Sequence, residues 1–215
     1  MKIISTNIAQ LTKFIWRGKI QTTGIFKKPV NQAIYLATND VVNDEVSDRV
    51  HHGGFYKACY IFSAEQYPYW KSLYPELDWG WGMFGENLTV SDFDENAVFL
   101  GDIFKVGEAV VQVSQYREPC YKLGYKFGTQ KVLKQFIQHG YGGTYLSVIQ
   151  EGHVSVNDNF ELIERRQNKL SVAALFDLVY AGTKDQELLK IAVASEAIPP
   201  KKRKWFRSFE ESIKI

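Results

Sequence analysis

The chain has 215 residues, 45% hydrophobic, 14% aromatic and 23% charged, a folded globular composition that excludes a disordered chain. Its 26 basic and 24 acidic residues leave a net charge of +2, so nothing in the charge calls for nucleic acid as a partner. No stretch approaches the roughly 18 apolar residues of a membrane helix. The N-terminus lacks a signal-peptide core, and Cys59 and Cys120 make neither a disulfide framework nor a common zinc motif. A reducing cytoplasm and no membrane partner are therefore expected.

Up to about residue 165, short alternating or β-branched runs recur between turn signals, at 2–8, 32–38, 58–62, 87–90, 103–106, 109–114, 144–150 and 159–163. Their length and spacing predict antiparallel strands in a barrel or sandwich. Gly101-Asp102 and Gly107-Glu108 bracket one strand as tight turns. Two helices interrupt the strands. The first is predicted to start at Ser63, with Gln66 completing a capping box and Pro68 limiting or kinking it. The second follows Thr129, with Val132, Leu133, Phe136 and Ile137 on one face and Gly140 as its stop.

Beyond residue 166 the period becomes helical. Ser171 caps a helix over 172–180, and Gly182 stops it. Thr183 with Gln186 forms a capping box ahead of 187–194, and Pro199-Pro200 opens a basic helix through Ile213. The division expected is a β domain over 1–165 and a three-helix subdomain over 166–215.

Cys120 stands in Gln115-Tyr116-Arg117-Glu118-Pro119-Cys120-Tyr121-Lys122, after a strand and between Arg117 and Lys122. Cationic neighbours stabilise a thiolate, which is both a nucleophile and a soft metal ligand. The competing reading is a buried small hydrophobe, which the surrounding charges weaken. Cys59, in the apolar run Ala58-Cys59-Tyr60-Ile61-Phe62, reads as core. His51-His52-Gly53-Gly54 with Lys57 could hold an anion such as a phosphate, although an ordinary glycine turn explains it equally well. Adjacent histidines on a strand would face opposite ways and share no metal. Residues 80–85 match Gly-x-Gly-x-x-Gly, but no strand precedes and a strand-like run follows. That leaves a glycine-rich loop ending in Glu86 and Asn87, not a dinucleotide site. Lys201-Lys202-Arg203-Lys204 reads as a solvated face, with Trp205-Phe206 leaving a binding or dimer contact open.

Taken in order, residues 23–30, 48–54, 84–88, 101–102 and 117–120 resemble the pattern of MOSC domains, and nearly the whole chain resembles the YiiM-like bacterial branch with its three-helix C-terminal extension. The resemblance implies a mainly β fold with α elements, a MOSC-type β-barrel with flanking helices. It also implies a molybdenum cofactor of the molybdopterin type. Cys120 is then the metal ligand and, with Arg117, catalytic. His51, His52, Gly53, Gly54, Lys57, Gly85, Glu86 and Asn87 would lie around the cofactor. The implied activity is an oxidoreductase reducing N-hydroxylated small molecules such as N-hydroxylated bases, supplied by a separate electron-donor protein, with a homodimer open. The rival reading is a non-catalytic carrier of the cofactor or of sulfane sulfur. A thiol hydrolase has the residue types but no nucleophile elbow. The chain departs from the family pattern at Tyr141, where a basic residue is usual.

Overall fold

The computed structural model describes residues 1–166 and 169–211. Among them, eight strands form one sheet: β1 (Lys2–Ile8), β4 (Lys28–Pro29), β7 (Cys59–Ser63), β8 (Leu88–Ser91), β9 (Ile103–Val106), β10 (Ala109–Tyr116), β11 (Thr144–Gln150) and β13 (Phe160–Glu164). Their order is β13-β9-β10-β11-β7-β8-β1-β4, antiparallel except for β7 beside β8. A hairpin of β2 (Thr12–Trp16) and β3 (Lys19–Thr23) stands apart, and β5 (Ile34–Ala37), β6 (Asp40–Val41) and β12 (Gly152–Val154) make a small third sheet. The eight runs read as strands all fall on strands, because each alternates or is fully apolar. The β2–β3 hairpin, the two-residue β4 and β6, and β12 escaped that reading. The hairpin exposes Ile15 and Ile20, which pair across it, and buries only Phe14 and Thr23, so no run of alternating burial marks its sequence.

The expected barrel is not closed. β13 and β4 are the ends of an open ladder, and only the bridge Lys2–Asn159, with backbone bonds such as Ile3 N to Asp158 O (2.9 Å), ties β13 back to β1. At the other end β4 holds two residues, and Pro29 has no N–H with which to continue a ladder. Inside the curl, Leu36, Ile61, Leu88, Val90, Val111 and Leu146 are buried.

Among the described residues the helices are α1 (Arg49–His52), α2 (Tyr67–Leu73), α3 (Tyr121–Lys126), α4 (Lys131–His139), α5 (Val172–Tyr180), α6 (Gln186–Ala194) and α7 (Pro200–Glu211). Pro68 opens α2 instead of limiting it, since a first-turn proline loses no helical bond. Ser63 bonds Glu65 and caps nothing. Gly140 closes α4 at φ 82°, as predicted. Ser171 caps α5 as read, but Asp185, not Thr183, caps α6, accepting from Glu187 and Leu188 N–H. The reach of α7 to Ile213 lies outside the described residues.

A second core is aromatic. Trp70 of α2 is fully buried against Phe84, Phe127 and Phe136, with ring centroids 5.6, 6.2 and 5.9 Å away. The third core joins Leu175, Phe176, Leu189 and Phe206 of the C-terminal helices to Leu100 and Tyr116 of the β region. We expect Trp70→Ala to cost about 3–5 kcal/mol of unfolding free energy in denaturant titration. Trp70→Phe should cost much less, because the indole N–H finds no hydrogen-bond partner among the described residues. Equal losses in the two variants would contradict this account.

Candidate functional site

Strand β10 delivers Arg117-Glu118-Pro119-Cys120 to one end of the sheet, and α3 starts at the residue after Cys120. Cys120 is half-buried and lines a cavity together with Arg117, Lys122, Lys57, His52 and Asn87. Arg117 is buried, its guanidinium 5.1 Å above the Tyr60 ring and 5.3 Å from that of Phe136. Its Nη1 has no hydrogen-bond partner among the described residues. A buried, unpartnered guanidinium nitrogen at a cavity wall is a costly arrangement that an anionic ligand would relieve. Lys122 Nζ donates to Ser47 Oγ at 2.8 Å.

The two histidines sit on a helical turn, not on a strand, and still diverge. Asp48 caps α1 by accepting from His51 N–H and pairs with the exposed His51 ring at 2.9 Å. His51 therefore lies outside this cavity, whereas His52 lines it. Burial, then the charges of Lys57, Arg117 and Lys122, pull His52 down to about 4, so its imidazole is neutral near pH 7. Gly53 lines the cavity. Gly54 does not; its φ of 86° turns the chain into the short helical turn Phe55–Lys57. That turn brings Lys57 back to the cavity, where its Nζ donates to His51 O at 2.7 Å. Burial lowers the Lys57 pKa.

The Gly85-Glu86-Asn87 segment splits in role. Gly85 and Asn87 line the cavity, but Glu86 is fully buried behind it. The Glu86 carboxylate accepts from Gly82 N–H (2.9 Å), Phe84 N–H (3.0 Å), Thr89 Oγ1 (2.8 Å) and the Tyr67 hydroxyl. It holds the glycine-rich loop from behind and does not line the cavity. Asn87 Oδ1 accepts from Tyr60 N–H, and its Nδ2 donates to Asp44 at 3.0 Å. Asp44 in turn is ion-paired with Lys27, both buried. Sequence reasoning missed Asp44, Tyr60 and Tyr145 of this cavity. Lys27 fell inside a quoted motif, but no local pattern links it to a carboxylate seventeen positions away. Tyr141 is off the cavity, 5.3 Å from the His139 ring.

Among the described residues no group of three or more His, Cys, Asp or Glu side chains is arranged to hold a metal ion, and no helix is long and apolar enough to cross a membrane.

Comparison with known proteins bears on this geometry. The MOSC domain profile matches residues 48–161, which span His52, Arg117 and Cys120. The uncharacterized protein YflK of Bacillus subtilis is 37% identical over 199 residues, 91% of this chain and 90% of its own. The crystal structure of YiiM from Geobacillus stearothermophilus superposes with a TM-score of 0.81 at 29% identity, covering 97% of this chain and 98% of that one. A reductase of Gibberella moniliformis is 30% identical over 190 residues, 87% of this chain but 34% of that longer protein.

The neutral His52 gives a pH test. Its folded pKa lies below the unfolded value of 6.5, so the stability it contributes is full above pH 6.5 and is lost as pH falls toward 4. We expect the His52 ring protons to titrate in NMR with a midpoint near 4; a midpoint above 6 would mean the cavity does not enclose the ring.

Proposed function

The chain belongs to the MOSC domain family, and from that premise we propose that the Cys120 cavity holds a molybdopterin-type molybdenum cofactor and reduces the N–O bond of small N-hydroxylated substrates. The carrying observation is a half-exposed thiol among Arg117, Lys57 and Lys122, all lining one cavity. The residues present fit that group. The protein offers one soft donor, so any further metal ligands must come with the cofactor itself, as a dithiolene supplies them. The unpartnered Arg117 Nη1 and the nearby lysines suit the phosphate of a pterin cofactor.

When bound, such a cofactor supplies the two-electron redox change that N–O reduction needs. The chain's residues do the rest. Cys120 fixes the metal, and Arg117 and Lys122 neutralise the cofactor's anionic groups. His52, uncharged and inside the cavity, can donate a hydrogen bond to the substrate without adding charge. Asn87 is already committed to Tyr60 and Asp44, so its part is to hold the wall in place. Electrons come from a separate donor protein, because the sequence carries no flavin, haem or iron–sulfur motif.

Elemental analysis of protein made in a cofactor-competent host tests this. Near-stoichiometric molybdenum is expected in the wild type, lost in Cys120→Ser with melting unchanged. Turnover of an N-hydroxylated base with reduced methyl viologen should disappear with it. Metal retained by the variant would sink the ligand assignment; metal present without turnover would favour the carrier. Arg117→Met keeps the stacking on Tyr60 and Phe136 but removes the charge, and cofactor retention should fall about 10- to 100-fold, as expected for one charged hydrogen bond.

A further inference from the structure

A second hollow opens beside the Cys120 cavity and shares Gly53, Lys57 and Glu118 with it. Its two walls come from opposite ends of the chain. Val50 and Phe55 of the α1 region form one, and Val179, Pro199 and Trp205 of the C-terminal helices form the other. Val50 is 89% exposed, Phe55 38% and Trp205 37%. Phe206, next to Trp205, is fully buried and anchors α7, which fixes where Trp205 is presented. Large apolar side chains scattered on a convex surface need no explanation, but here they face one another across a concavity, where a ligand would cover several at once.

The charge of the hollow is one-sided. Lys57, Lys201 and Lys202 line it against a single acid, Glu118. Lys202 already neutralises that acid, at 2.7 Å, and stands 4.6 Å over the Trp205 ring. An anion entering here meets cations and no uncompensated carboxylate. A neutral aromatic ligand would leave the lysines unused, and a bare phosphate would leave the apolar walls wet. A ligand with both parts satisfies both.

We infer that this hollow is a subsite for a planar aromatic group bearing an anion of the phosphate-monoester kind, whose reacting end reaches the Cys120 cavity through the shared Gly53–Lys57–Glu118 rim. Trp205 and Phe55 supply ring surface for stacking, and the lysines supply point charges for the anion. The appended helices thereby complete the substrate site, which favours nucleotide-like over free-base substrates. The reaction assigned to such a substrate rests on the reductase reading; the binding does not.

Calorimetry on the full chain, with adenosine 5′-monophosphate, adenosine and inorganic phosphate as probes, tests the subsite without any metal or turnover. The monophosphate should bind at least about tenfold more tightly than either fragment. Trp205→Ala and Lys201→Glu should each weaken it about fivefold or more with the melting temperature unchanged, while Cys120→Ser should leave it intact. No monophosphate binding, adenosine bound as tightly, or indifference to both Trp205→Ala and Lys201→Glu would overturn the inference. Loss of the subsite in a protein that still carries molybdenum and turns over would leave the Cys120 assignment standing. Monophosphate binding in a protein that never acquires the metal would do the reverse.

Discussion

One buried carboxylate organises the wall on which the site depends. Glu86 gathers two loop amides, a threonine hydroxyl from β8 and the Tyr67 hydroxyl from α2 into a single enclosed cluster. A carboxyl group so deeply buried is tolerable only when its polar atoms are hydrogen-bonded, and four donors do that. The consequence reaches past Glu86. The loop it pins presents Gly85 to the cavity, and Asn87, next along the chain, is delivered to Tyr60 and to the Lys27–Asp44 pair.

The facing wall is built on a different principle. Arg117 is buried over two aromatic rings, and its main-chain N–H bonds Gly143 O at 3.4 Å. Gly143 sits at φ 71°, and a Cβ there would lie 2.3 Å from Ile61 O, so only glycine lets β11 approach this closely. Its N–H donates to the buried Glu95, whose pKa burial pushes up to about 8. One wall is thus satisfied internally, whereas the other holds a buried guanidinium nitrogen, Arg117 Nη1, with no hydrogen-bond partner among the described residues.

The C-terminal helices are part of the same arrangement. Tyr116, the last residue of β10, packs on Phe176 at 5.7 Å, and Lys202 reaches Glu118 two residues further on. The segment carrying Cys120 is therefore held from both sides, by the sheet and by α7.

By itself the sequence determined most of the regular structure. Alternating or apolar runs located seven of the eight strands of the main sheet, missing the two-residue β4, Ser171 and Gly140 marked helix ends, and the charges around Cys120 singled out one cysteine over the buried Cys59. These are local signals, spread over a few neighbouring residues. Tertiary structure decided what local signals cannot carry. It left the sheet open, because closure depends on how β1, β4 and β13 meet in space. It separated His51 from His52, and Glu86 from Asn87, by facing neighbours in sequence toward different surroundings. It also joined Lys27 to Asp44 and Lys202 to Glu118 across long stretches of chain. Burial and long-range charge pairing arise only when distant segments pack, so the order of residues alone does not display them.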